Sequence, residues 1–157
     1  MAAILLLNLP SASASFQTLS NILNRPLPLS FHTSDWGAIN KVYSLLLSAL
    51  QQKSPKLHSH LTNPQLGLKP DEYMRGMLTS LFTGCLSLDN GTRLWDVMVF
   101  EGDSVLVRAG VALLIALEGK LFGATTSAEV CSIIQSSARD NNMGEEEWMR
   151  SVRGAGK

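Results

Sequence analysis

The run from Ser80 to Arg108, Ser-Leu-Phe-Thr-Gly-Cys-Leu-Ser-Leu-Asp-Asn-Gly-Thr-Arg-Leu-Trp-Asp-Val-Met-Val-Phe-Glu-Gly-Asp-Ser-Val-Leu-Val-Arg, decides the reading of the whole chain. Leu94, Val97 and Met98 fall at helical spacing, and Trp95 and Val99 widen the apolar stripe. The run therefore predicts a short buried helix that begins near Gly91, after a polar turn of Asp89, Asn90 and Gly91. Gly102 ends it. Asp103 or Ser104 then caps a second helix, because a short side-chain oxygen accepts a free backbone N–H in the first turn. Arg93 and Asp96, three residues apart, are placed to pair on the solvated edge for about 0.2–0.5 kcal/mol, whereas truncating a buried Trp95 costs about 3–5 kcal/mol. Packing outweighs charge in this run.

Downstream, a helix from Ser104 to about Phe122 is apolar on most of its circumference, which marks it as buried, and Gly123 stops it. Thr126-Ser-Ala-Glu129 is a capping box that opens another helix through Val130, Ile133 and Ile134. Ser136 to Met143 is polar and weak, Gly144 to Val152 forms a final helix, and the residues after it are expected to fray.

Upstream, Ala2 to Leu9 reads as a short helix closed by Pro10, and Ser11 to Ser15 as a small-residue linker. Phe16, Leu19, Ile22 and Leu23 give a helix from Ala14 that stops before Pro26, with Pro26 and Pro28 making an extended corner. Thr33 or Ser34 caps a long helix from Asp35 to about Gln52, whose one face carries Trp36, Ile39, Val42, Tyr43, Leu46, Leu47 and Leu50. Pro55 starts a turn of helix to Leu61, which Asn63-Pro64 closes. Pro70 starts another, with Asp71 and Glu72 at its positive end, that runs to Phe82 and ends at a left-handed Gly84. No segment alternates apolar and polar residues in the manner of a half-buried strand, so the fold class is all-α, an irregular multi-helix domain.

Composition narrows the function. The chain has 157 residues, 45% of them hydrophobic, enough for one domain with its own core. Thirteen basic residues balance thirteen acidic ones, so no global field draws the chain to nucleic acid or to anionic lipid. The apolar block Val105 to Leu117 contains Arg108 and is shorter than the ~20 residues that span a bilayer. The N-terminal apolar stretch lacks the basic residues of a secretory leader. Cys85 and Cys131 lie in apolar company and read as buried thiols.

The central run also carries a resemblance. Arg93-Leu-Trp-Asp-x4-Glu-Gly-Asp103, preceded by Leu81-Phe-Thr83 and followed by Val105-Leu-Val-Arg-Ala-Gly-Val-Ala-Leu-Leu114, resembles the C-terminal part of the TBC domain, the all-helical domain of Rab GTPase-activating proteins. Leu81, Phe82, Thr83, Arg93, Trp95, Asp96, Phe100, Glu101, Gly102, Asp103 and Arg108 are the matching positions, and the resemblance gives them structural roles. Ala2 to Pro10 is similar to the helix that follows the family's Tyr-x-Gln-Gly-Met-Asn motif, and the likeness extends to Phe122. Residues 1–123 are thus expected to form the C-terminal lobe of a TBC-type fold, and 124–157 a helical extension. Ser87, Val107 and Met77 depart from the family's usual proline, aromatic residue and tryptophan.

In that family, as the resemblance implies, catalysis uses an arginine from Ile-x-x-Asp-x-x-Arg and the glutamine of Tyr-x-Gln-Gly-Met-Asn. Neither motif occurs in this sequence, in which Met1 falls just beyond the glutamine motif. The expectation is a truncated Rab-GAP domain protein, not itself an activator of GTP hydrolysis, with no catalytic residue, cofactor or metal of its own. A Rab-family GTPase is the expected partner, with no nucleic acid and no membrane span, in a cytoplasmic setting peripheral to endomembranes. The alternative is a non-catalytic helical adaptor that binds a GTPase or another helical protein. Either version bares an apolar flank and with it a route to self-association.

Other candidates have simpler explanations. Arg93 and Arg108 are assigned structural roles, and Glu101 and Asp103 flank Gly102 where helix capping accounts for them. His58 and His60 lack a third ligand in sequence, and neither a Gly-x-Ser-x-Gly elbow nor a phosphate-binding glycine loop is present.

Overall fold

The computed structural model describes residues 1–140 and 143–156, and for 138–140 the backbone path. Within them eleven α-helices and no strand are found. In order these are α1 (Ala2–Asn8), α2 (Ala12–Leu23), α3 (Pro26–His32), α4 (Trp36–Lys53), α5 (Pro55–Leu61), α6 (Pro70–Thr79), α7 (Leu88–Glu101), α8 (Ser104–Ala116), α9 (Glu118–Leu121), α10 (Ser127–Asp140) and α11 (Glu145–Gly154), with a 3-10 turn at Pro64–Leu66. The all-α expectation holds.

The apolar composition of α8 puts it at the centre. Val105, Leu106 and every residue from Ala109 to Leu114 are buried, and α4, α6, α7, α9 and α11 all pack on it. At Gly110 the Leu46 side chain of α4 lies against the α8 backbone, and an added Cβ would lie 2.6 Å from Leu46 Cδ1. A side chain at this position would have to displace the Leu46 side chain. One continuous hydrophobic cluster runs from Leu5 to Ala155, so the segment after Gly123 shares the core of the segment before it.

Local chemistry moves several boundaries from where periodicity put them. Ser11 is no linker: its hydroxyl accepts the Ala14 N–H at 3.1 Å and starts α2. Pro26 and Pro28 open a helix instead of an extended corner, since the first-turn N–H groups that proline lacks have no intrahelical partner anyway. Asp35, not Thr33 or Ser34, caps α4 through the Ala38 N–H, and Ser34 takes a left-handed φ of 55°. Trp36 leaves the core face expected for it. It is exposed, and the Arg75 guanidinium lies 4.8 Å from its ring centroid.

The C-terminal third also differs. The chain breaks at Leu117 between α8 and α9, where the Glu118 carboxylate accepts the Ser54 hydroxyl at 2.6 Å. The segment expected to be weak from Ser136 is helical to Asp140, because Ser137 is buried and donates to the Cys85 carbonyl at 2.8 Å. Asn141 and Asn142 of that segment lie outside the described residues. The Thr126–Glu129 capping box forms as expected. The expected fraying gives way to a docked end: α11 buries Trp148, Met149 and Val152 against α7 and α8, and Ala155 is buried after it. Lys157 lies outside the described residues.

Candidate functional site at the α7–α8 corner

The matching positions gather around the corner between α7 and α8 and the turn that leads into α7. That turn is not built on Gly84. α6 ends at Thr79, and Leu81 and Phe82 take positive φ values of 48° and 66°. A left-handed L-residue costs roughly 1–2 kcal/mol. Both side chains are almost fully buried, the Phe82 N–H donates to the Met77 carbonyl at 2.8 Å, and the Trp95 indole donates to the Leu81 carbonyl at 2.9 Å. Burial and those bonds offset the strain. Thr83 adds a hydroxyl bond to the Ser80 carbonyl at 2.9 Å.

Helix α7 begins three residues earlier than expected. Ser87 caps it by accepting the Asn90 N–H at 3.3 Å, so Asp89, Asn90 and Gly91 form its first turn instead of a loop before it. Serine at the position where the resemblance leads one to expect proline thus contributes a cap. Asn90 is buried, and its amide donates to the Met143 carbonyl at 3.0 Å, tying α7 to the approach of α11. Arg93 pairs with Glu145 at 3.2 Å rather than with Asp96, which is exposed. Phe100 is 89% exposed.

Gly102 terminates α7 at φ 85° and ψ −175°, a conformation open essentially to glycine alone. Asp103 opens α8 without capping it. Its carboxylate accepts the Arg25 Nε–H at 2.5 Å and the Leu27 N–H at 3.0 Å, so it serves the first turn of α3, 76 residues earlier in the chain. A carboxylate at a helix N-terminus satisfies an orphan donor and complements the dipole. Arg108 pairs with Glu101 across the corner. Arg25, Glu145 and Met143 are the partners that sequence reading missed, and no local signal announces them.

The titration pattern agrees with a structural corner. Burial pushes the Cys85 thiol up to about 12, and burial, with a weaker effect of Glu72, raises Cys131. Cys131 is only half-buried, not buried as expected. Tyr73 is raised by burial, and Tyr43 by burial and by donating to Asp71 at 2.9 Å. Cys85, three residues after the left-handed Phe82, is held protonated by its burial. Among the described residues no group of three His, Cys, Asp or Glu side chains is placed to hold a metal, and no helix is long and apolar enough to cross a membrane.

A buried tryptophan braced on a left-handed turn, a glycine-only helix end and three ion pairs within the fold define a helical scaffold whose charges serve its own corners. The Rab-GTPase-TBC domain family matches residues 1–122, and the chain belongs to that family. That span agrees with the likeness read from the sequence over Ala2 to Phe122. Drainin of Dictyostelium discoideum is 32% identical over 114 residues, 73% of this chain and 25% of that protein. TBC1 domain family member 14 of Homo sapiens is 32% identical over 114 residues, 73% of this chain and 16% of that protein. TBC1 domain family member 12 of Mus musculus gives the same 32% identity over the same shares. The chain spans a quarter or less of the length of these relatives.

Proposed function

We propose that this chain is a helical module of Rab GTPase regulation that contacts a Rab-class GTPase and does not by itself accelerate GTP hydrolysis. The observation that carries the second half is the 157-residue sequence, which contains neither Ile-x-x-Asp-x-x-Arg nor Tyr-x-Gln-Gly-Met-Asn. The geometry supports it: Arg25, Arg93 and Arg108 each face a carboxylate within the fold. An arginine that neutralises charge in phosphoryl transfer is worth roughly 10³ to 10⁵ in rate, or about 4–7 kcal/mol. Breaking an internal ion pair to release a substitute would subtract from that gain. The place of action on this reading is the cytoplasmic side of endomembranes.

The test is single-turnover GTP hydrolysis by a panel of Rabs with the chain in excess. Rates within about twofold of the intrinsic ones are expected, and a thousandfold acceleration of any Rab overturns the proposal.

A second reading, a non-catalytic adaptor, is favoured by one feature. Leu6, Leu7 and Phe16 on α1 and α2, with Val99 and Phe100 on α7, are large apolar side chains left exposed. Exposed patches of this kind mark binding surfaces.

A further inference from the structure

Asn90-Gly91 is the one Asn-Gly pair in the chain, and it lies in the first turn of α7. An asparagine followed by glycine is prone to attack on its own side chain, because no Cβ shields the next backbone nitrogen. Packing gives no reason for glycine here. A Cβ added at Gly91 would meet nothing within 4 Å, and glycine weakens a helix relative to alanine. The pair is nonetheless held from several sides. Asn90 is 3% exposed; its N–H donates to Ser87 Oγ at 3.3 Å and its side-chain amide to the Met143 carbonyl at 3.0 Å. The Gly91 N–H donates to the Ser87 carbonyl at 2.9 Å.

Those bonds engage both groups that would react, and ring closure also requires Asn90 to leave the helical backbone conformation. The first turn of a helix has few intrahelical donors engaged and opens readily unless tertiary contacts hold it. Here the holding contacts come from the far end of the chain. They are the Met143 carbonyl, the Arg93–Glu145 ion pair at 3.2 Å, and α11, which packs on α7 and carries the fully buried Trp148. Undocking α11 would free the Asn90 amide and loosen the turn at once.

We propose that Asn90 is a site of spontaneous deamidation that the docking of α11 holds shut, and that its reaction, once it occurs, prevents α11 from docking again. In the step the Gly91 nitrogen bonds to Asn90 Cγ, the Cγ–Nδ2 bond breaks, and ammonia leaves with the proton of the Gly91 N–H. Water then opens the five-membered imide at either carbonyl and leaves aspartate or isoaspartate, with no oxidant or reductant required. Aspartate puts a carboxylate, which has no proton to donate, against the Met143 carbonyl at a buried position. Isoaspartate threads the main chain through an extra methylene and breaks the first turn of α7. Reversible opening thus becomes irreversible release.

The experiment ages the full chain in mildly alkaline buffer at body temperature and follows Asn90 conversion by mass spectrometry of its peptide. The folded wild type is expected to react at least about a hundredfold more slowly than the same chain in concentrated urea. Trp148→Ala should speed the reaction in buffer at least about tenfold, and Glu145→Ala should speed it less. Gly91→Ala, which the fold has room for, should suppress the reaction even in urea. Asn90→Asp should hasten tryptic cleavage after Arg150 in α11 at least about tenfold, with Gly91→Ala as the resistant control. Equal rates in buffer and in urea overturn the inference, as do rates unchanged in both α11 variants. An Asn90→Asp chain as resistant to trypsin as the wild type also overturns it. No GTPase is present, so the outcome is independent of the hydrolysis test.

Discussion

The Trp95 indole N–H donates to the Leu81 carbonyl at 2.9 Å across fourteen residues. It joins the middle of α7 to a turn that two L-residues hold in the left-handed region, at Leu81 and Phe82. The tryptophan is therefore a brace as well as core volume. Trp95→Phe keeps most of the apolar bulk but leaves the Leu81 carbonyl without this donor, at about 1–3 kcal/mol, while Trp95→Ala costs about 3–5 kcal/mol. Urea unfolding should show both losses, with a lower midpoint and an unchanged slope. Equal losses in the two variants would mean that the hydrogen bond, and not the ring volume, carries the effect.

Asp103 belongs to α8 in sequence and to α3 in function. Asp103→Ala removes the acceptor of the Leu27 N–H and leaves Arg25 unpaired on a largely buried side chain, a loss of about 2 kcal/mol. Arg25→Ala is expected to cost less, because the carboxylate keeps the Leu27 N–H. The double variant should fall short of the sum by about 1 kcal/mol. A strictly additive pair of substitutions would show that the clamp contributes nothing.

Burial of Cys85 has a pH signature. Its thiol is raised from 9.0 to about 12 in the folded state, so between those values the folded chain holds a proton that the unfolded chain has lost. Stability from this group is complete below pH 9 and declines as pH rises towards 12, by roughly 1 kcal/mol for each pH unit. Tyr43 and Tyr73, both raised, add losses of the same sign above pH 10. Urea midpoints measured from pH 8 to 10 should fall with pH, and less steeply in Cys85→Ala. In the native protein at pH 8 an aromatic disulfide reagent should modify half-buried Cys131 before Cys85.

Much of this architecture is legible in the chain because the signals are local. Proline at the first turn of α5 and α6, the Thr126–Glu129 box and the all-round apolarity of α8 each report on residues within one or two turns, and the helices form where those signals lie. What the sequence conceals is long-range. Asp103 looks like the cap of its own helix until Arg25 is placed beside it, and Arg93 has Asp96 at hand but reaches Glu145. The left-handed turn falls on Leu81 and Phe82 rather than on the nearby glycine because burial of two large side chains outweighs the intrinsic preference of Gly84. Pattern reading weights propensity, and here tertiary packing decides.

The extent of the folding unit gives the last expectation. The family match stops at residue 122, yet α11 sends the fully buried Trp148, together with Met149 and Val152, into the cluster built on α7 and α8. Asn90 of α7 donates to the Met143 carbonyl, and Arg93 forms an ion pair with Glu145. A chain ending at Gly123 would expose the α7 and α8 surface under those side chains, and truncating Trp148 alone, as Trp148→Ala, should already cost about 3–5 kcal/mol. That is a large part of the ~5–15 kcal/mol by which domains are stable. The 1–123 fragment is therefore expected to lose its near-UV circular dichroism and its sharp urea transition, whereas the full chain keeps both. A fragment that unfolds cooperatively, at the same urea midpoint as the full chain, would show that α10 and α11 are appended to a core complete without them.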